Sequence, residues 1–233
     1  MASQTNTFEG GTNGTTITTG NSGGGSGTAF GGVTLGDGTG IFDSTRAAHG
    51  SLSGKFTTGA TGSQSFVQWT TTRASTVYAR VYVYLTANPS VPLYVAEFRD
   101  STAGLAFNGA VIIGADGTVR VADSTGNAVA NSIATVALNQ WVRIEYQVVC
   151  NATTGSVTAR LYNTADSTTI TETVTTTAKN TGTGADTPRY GITFAGTSHG
   201  PIWVDDLGWS DTDWLGPVPS GTPITYQHAV QIG

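Results

Sequence analysis

The run Val77-Tyr-Ala-Arg-Val-Tyr-Val-Tyr-Leu85 alternates without a break. Val77, Ala79, Val81, Val83 and Leu85 hold the odd positions, and Tyr78, Arg80, Tyr82 and Tyr84 the even ones. A side-chain period of two belongs to a strand. The run therefore has an aliphatic face turned to a core and an aromatic, arginine-bearing face turned away from it. Trp141–Val149 repeats the pattern, with Val142, Ile144, Tyr146 and Val148 on one face and Trp141, Arg143, Glu145 and Gln147 on the other. Val157–Tyr162 repeats it again: Val157, Ala159 and Leu161 inward, Thr158, Arg160 and Tyr162 outward.

Shorter strand signals surround these three. They are Leu93–Arg99, Ala110–Ile113, Thr118–Ala122, the Thr-rich Thr168–Thr177, Gly191–Phe194 and Ile202–Trp209. Asp116-Gly117 marks a hairpin between the second and third of them. Gly10–Gly40 reads as loops and short strands. No stretch carries a 3.6-residue apolar period over three turns. Many short strands with one apolar face each imply an all-β chain, with two antiparallel sheets packed as a sandwich or jelly roll.

Composition narrows the class further. Hydrophobic residues make up 38% and aromatic residues 9% of 233 positions, enough to bury a core and to exclude a disordered chain. Lys plus Arg is 10 and Asp plus Glu is 15, for a net charge of −5. That balance lacks the basic footprint of a nucleic-acid partner or of an anionic membrane surface. No apolar run has the length of a membrane helix. The opening Met1-Ala-Ser-Gln-Thr-Asn-Thr-Phe-Glu9 has neither the basic nor the apolar region of a secretory signal. Cys150 is the one cysteine, which rules out an internal disulfide and reads as a structural thiol.

Residues 1–216 read as one jelly-roll domain and 217–233 as an extended C-terminal arm. Pro217, Pro219 and Pro223 fix φ and remove backbone donors, so they oppose a central strand. Ile224, Tyr226, Val230 and Ile232 make the arm apolar enough to dock on another subunit or another protein.

Chemistry-bearing patterns are sparse. A glycosidase of the usual kind needs paired carboxylates, and no strand presents Glu-x-Asp-x-x-Glu. The two Gly-x-Ser-x-Gly matches, Gly20–Gly24 and Gly196–Gly200, precede no helix and so are not nucleophile elbows. His49, His199 and His228 lack metal-ligand spacing. The expectation is a chain with no catalytic residues. The face with binding potential carries Tyr78, Arg80, Tyr82, Tyr84, Trp141, Arg143, Arg160 and Tyr162. Rings for stacking and planar hydrogen-bonding groups suit a glycan. The same face would also serve as a subunit contact or as a plain solvated surface.

Four stretches together resemble a known fold family: Asn6–Ile17, Arg46–Phe56, Asn139–Tyr146, and Ile202–Leu207 with Asp213–Pro217. They are similar to the concanavalin A-like (laminin-G-like) jelly-roll modules of actinobacterial proteins and of virion proteins of their phages. The resemblance implies a concanavalin A-like sandwich over about residues 6–217. It also implies a structural calcium ion, Ca2+, at Glu9 with Asp205 or Asp206. For function it implies a non-enzymatic phage virion surface protein, either a head-decoration or fibre protein or a minor tail protein, assembled in the host cytoplasm. Its partners would be other virion proteins or copies of itself, and host cell-wall polysaccharide. The alternative is a carbohydrate-binding module of a bacterial protein, and after it a divergent glycoside hydrolase.

Overall fold

The computed structural model describes residues 2–194 and 196–219. Sheet A has eight strands. Seven run in the order β13 (Glu172–Lys179), β12 (Gly155–Tyr162), β11 (Trp141–Val149), β6 (Thr76–Tyr84), β15 (Ile202–Ser210), β4 (Ser53–Thr57) and β3 (Thr39–Asp43). The eighth, β1 (Ser3–Asn6), pairs with the second half of β15. Sheet B has seven strands: β10 (Ala128–Thr135), β9 (Thr118–Ala122), β8 (Ala106–Ile113), β7 (Leu93–Asp100), β14 (Thr187–Phe194), β5 (Ser65–Gln68) and β2 (Gly32–Thr34). All pairings are antiparallel. Helical turns among the described residues are the 3-10 pieces Gly24–Ser26 and Ser101–Ala103. The jelly-roll sandwich expected from the alternating runs is the fold observed.

The inward faces are the expected ones. Val77, Ala79, Val81 and Val83 of β6, Val142, Ile144, Tyr146 and Val148 of β11, and Val157, Ala159 and Leu161 of β12 all join one core. Sheet B adds Leu93, Val95, Phe98, Val111, Ile113, Val119 and Val121. Cys150 lies at the edge of this core, and burial pushes its thiol up to about 12. It is a packing residue, not a nucleophile.

Strands β10 and β13 depart from the simple pattern at the edges of the sheets. Strand β10 lies at the edge of sheet B with register irregularities against β9, so its face pattern is broken. The Thr-rich strand starts at Glu172 rather than Thr168. The Glu172 carboxylate accepts the Ile133 amide at 3.0 Å and the Ala134 amide at 2.6 Å. It thereby satisfies donors of the β10 edge and fastens that edge to β13 on the other sheet.

Tyr146 packs on Phe98 with ring centroids 5.0 Å apart, and its hydroxyl is buried without a hydrogen-bond partner among the described residues. A buried orphan hydroxyl costs free energy that a hydrogen atom in its place does not. Tyr146→Phe should therefore stabilise the domain by about 1 kcal/mol. Thermal unfolding of the two proteins, compared side by side, checks it; a lower melting temperature in the variant would show that the hydroxyl has a partner.

Candidate functional site

The outward residues of β12, β11 and β6 do share one face of sheet A. Arg143 stands opposite Tyr82 and Tyr162, Glu145 opposite Arg80 and Arg160, and Trp141 opposite Tyr84. The expectation that this face is open is corrected by the structure. Tyr82 is 0%, Arg143 1%, Glu145 0%, Tyr162 5% and Arg80 6% exposed. The cover is the chain's own. Arg143 holds the carbonyls of Ala165 and Ser167, and Tyr82 donates its hydroxyl to Asp166 at 2.9 Å. Arg80 donates to the Asp206 carbonyl at 3.0 Å and the Gly216 carbonyl at 3.1 Å. The Gly216 amide reaches Glu145 at 3.3 Å, and the Val218 amide reaches the Tyr82 hydroxyl at 3.0 Å. Trp214 lies under the Arg160 guanidinium at 3.7 Å and against Tyr78 at 5.4 Å.

Burial sets the electrostatics here. It pulls the Arg80 guanidinium below its ordinary value and pushes the Tyr82 phenol up to about 12. Arg143 Nε and Glu145 Oε1 sit 2.8 Å apart as an ion pair, though not aligned as a hydrogen bond. A charged layer between sheet and cover fixes the cover in place and leaves no room for a ligand at the centre. What remains partly open is one end, where Tyr84 lies edge-on between Trp141 and Trp203 and Arg46 stacks over Tyr84 and Trp203. Of the expected docking residues of the arm, Ile224, Tyr226, Val230 and Ile232 lie outside the described residues.

Glu9, Asp205 and Asp206 each hold the loop between β3 and β4 at one corner of sheet A, without converging as a three-carboxylate group among the described residues. Glu9 accepts the Ser51 amide at 2.9 Å and the Leu52 amide at 2.7 Å, and Asp205 accepts the Ala48 amide at 2.8 Å. Together they pin the loop between β3 and β4. Gly50 has φ +72°, and any side chain there would run into the Glu9 carboxylate. A bulge in β15 turns Asp206 to φ 48° and buries both aspartates. Burial raises the Asp205 carboxyl well above its usual range, and the charge of Asp206 raises it further. Burial raises Asp206 too, against the opposing hydrogen bond from His49 at 2.5 Å.

Sheet B has the face that alternation missed. Gln68, Arg189, Glu97, Ala110 and Ala122 stand in one cross-strand row over β5, β14, β7, β8 and β9. Arg189 donates to Gln68 at 2.9 Å and to Glu97 at 3.1 Å, and Arg99 donates to the same Glu97 oxygen at 2.6 Å. Beside this low row rise three rings. Tyr94 is 5.2 Å from Phe194 and 6.5 Å from Phe107. With the loop Ser124–Asn127 they enclose an open pocket of about 410 Å3. Phe194 is 51% exposed. Sheet B thus carries an exposed ring beside a polar row, open where the corresponding face of sheet A is covered.

No family model matches the sequence, and no curated protein matches it. Among solved structures the chain is similar to the cellulose-induced protein Cip1, at TM-score 0.59 and 17% identity over 80% of this chain and 93% of that one. It is also similar to the CBM22-1 xylan-binding domain of Paenibacillus barcinonensis Xyn10C, at TM-score 0.42 and 14% identity over 88% and 90% of the two chains. Alginate lyase AlgAT5 of polysaccharide lyase family 7 stands at TM-score 0.42 and 11% identity over 89% and 93%. At these identities the likeness is one of fold, a jelly-roll β-sandwich, and it carries weight for Cip1 alone.

Tyr82 gives the sharpest check on the covered face. Tyr82→Ala removes a fully buried ring and the hydroxyl that ties two covering segments. It should destabilise the domain by about 3–5 kcal/mol, the range for emptying a buried aromatic site. Chemical denaturation measures this; a change below about 0.5 kcal/mol, as for surface positions, would mean that the face is open after all.

Proposed function

We propose that the protein is a non-enzymatic glycan-binding module that holds its ligand in the sheet B pocket. The observation that carries this reading is the set of rings Tyr94, Phe107 and Phe194 beside Arg99 and Glu97 in one open depression. Aromatic faces take the apolar faces of sugar rings, and the partly exposed Arg99 guanidinium takes their hydroxyls. Hydrolysis of the usual kind needs two carboxylates across the scissile bond. Among the described residues, Glu97 is the one carboxylate lining this pocket, and two arginines engage it. The virion setting rests on the sequence resemblance alone, and a carbohydrate-binding module of a bacterial protein accounts for the pocket at least as well.

Phe194→Ala should weaken adsorption to the recognised polysaccharide about tenfold, the worth of one good aromatic contact, and leave the melting temperature unchanged. Affinity electrophoresis in polysaccharide gels measures it. Undiminished retardation of the variant would remove the pocket from the reading. The same gels, stained for reducing ends, should show none released.

A structural calcium ion at Glu9, Asp205 and Asp206 is part of the proposal. Support comes from Asp206 Oδ1, buried without a partner among the described residues, and from the charge of Glu9, which adds to the strain on Asp205. Among the described residues no three His, Cys, Asp or Glu side chains converge as a metal centre. The ion would therefore draw further oxygens from loop carbonyls, as calcium does elsewhere. A chelator should lower the melting temperature, calcium should restore it, and Glu9→Gln should abolish the response. Identical melting with and without chelator would dispose of the ion.

A further inference from the structure

The sheet B pocket is built around an excess of positive charge in a chain of net charge −5. Two guanidiniums, Arg99 and Arg189, converge on one oxygen of Glu97, at 2.6 Å and 3.1 Å. Two cations against one anion leave one positive charge over. The three groups are not equally accessible. The Glu97 side chain is fully shielded, that of Arg189 is 9% exposed and that of Arg99 is 22% exposed. The charge that faces the pocket is thus the cation, with the anion sealed beneath it.

The arginines are also strained toward each other. Burial pulls the Arg189 guanidinium below its ordinary value; the charge of Glu97 opposes this and the charge of Arg99 adds to it. A second anion above the pair would relieve that repulsion. Arg99 is placed to receive one. Its Nε serves Glu97 and its Nη1 serves the Leu105 carbonyl at 3.1 Å, while its Nη2 has no acceptor among the described residues. The guanidinium also lies over the Phe107 ring at 5.3 Å, which holds its plane. A held guanidinium plane with spare donors is a receptor for an oxyanion such as a carboxylate. The rings on either side fit sugar faces, and Ser124, Thr125 and Asn127 offer hydroxyl and amide partners around the rim.

We propose that the pocket selects carboxylated glycans, chains containing uronic acid, and that Arg99 is the residue that reads the carboxylate. This rests on the reading of sheet B as the glycan face and adds the class of glycan.

The test uses the whole chain in affinity gels holding a polyuronate, a sulfated galactan or a neutral xylan, at low and at moderate salt. The expected result is retardation by polyuronate at least about tenfold stronger than by neutral xylan, weakening with salt because the contact is ionic. Arg99→Gln should bring polyuronate binding down to the neutral level, and Arg99→Lys should recover part of it. Asn127→Asp leaves the buried ion pairs alone and adds a negative charge at the exposed rim; it should weaken polyuronate binding and spare the neutral glycan. That second variant keeps the test decisive if Arg99→Gln fails to fold. Equal or stronger binding of neutral xylan would overturn the inference while the glycan-binding reading stands. Sulfated galactan binding as tightly as polyuronate would overturn the carboxylate assignment. Binding to no glycan at all would sink both.

Discussion

Nine consecutive cross-strand pairs join β6 to β11, from Trp141 opposite Tyr84 to Val149 opposite Thr76. A slip of one residue would turn every side chain of β6 to the other face. Val77, Ala79, Val81 and Val83 would leave the core, and Arg80 would enter it. That penalty fixes the register, and the register fixes what stands beside what on both faces of sheet A. Arg143 meets Tyr82 and Glu145 meets Arg80 because the aliphatic residues between them cannot be elsewhere.

The charged layer that results sits in an unusual place for a strand's outer face. Arg80, Arg143 and Glu145 are buried under the chain's own segments around residues 165–167 and 214–218. Burying such groups costs several kcal/mol per ion unless hydrogen bonds replace the lost water. Here backbone carbonyls replace it for the arginines. Apart from the Asp206 carbonyl of β15, the carbonyls so engaged, those of Ala165, Ser167 and Gly216, belong to segments without regular structure, which would otherwise have few ties to the domain. The layer trades exposed sheet surface for an ordered cover. It also explains why aromatic and arginine content alone did not tell an open face from a covered one: the same residue types serve a buried polar layer equally well.

How much was legible follows from where alternation holds. In β6, β11 and β12 it is strict, and the sequence places every inward side chain and the bounds to within a residue or two. In β7 it fails. A bulge between Tyr94 and Ala96 shifts the phase, so Val95, Ala96 and Phe98 all face the core while Tyr94, Glu97 and Arg99 face outward. Strict alternation would have set Tyr94 against Glu97 and Arg99. The bulge is what assembles the pocket, and nothing in the letters Leu93-Tyr-Val-Ala-Glu-Phe-Arg99 announces it. The bulge in β15 has the same effect at the acidic corner. It keeps Val204 and Leu207 in the core three residues apart, and it buries Asp205 and Asp206 together. The Phe-Glu and Asp-Asp stretches were legible as a pair through resemblance; their meeting at one loop is a product of the fold.

The two sheets therefore divide their work by what lies outside them. Sheet A gathers the segment that follows its last strand, the loop between β12 and β13 and the loop between β3 and β4, and its outer face is consumed in holding them. Sheet B has no comparable cover over its middle strands among the described residues, so the size of each outward side chain decides the relief. Ala110 and Ala122 pair across β8 and β9 beside Glu97 and, with Ile112, are buried beneath Tyr94 and Phe107 in a second small apolar cluster. Larger residues at the two alanines would push Tyr94 and Phe107 off the sheet and press on the ion pairs of Glu97. Small side chains at these two positions let Tyr94 and Phe107 lie down beside the ion pairs of Glu97, and that packing is what places an open, ring-lined pocket on sheet B.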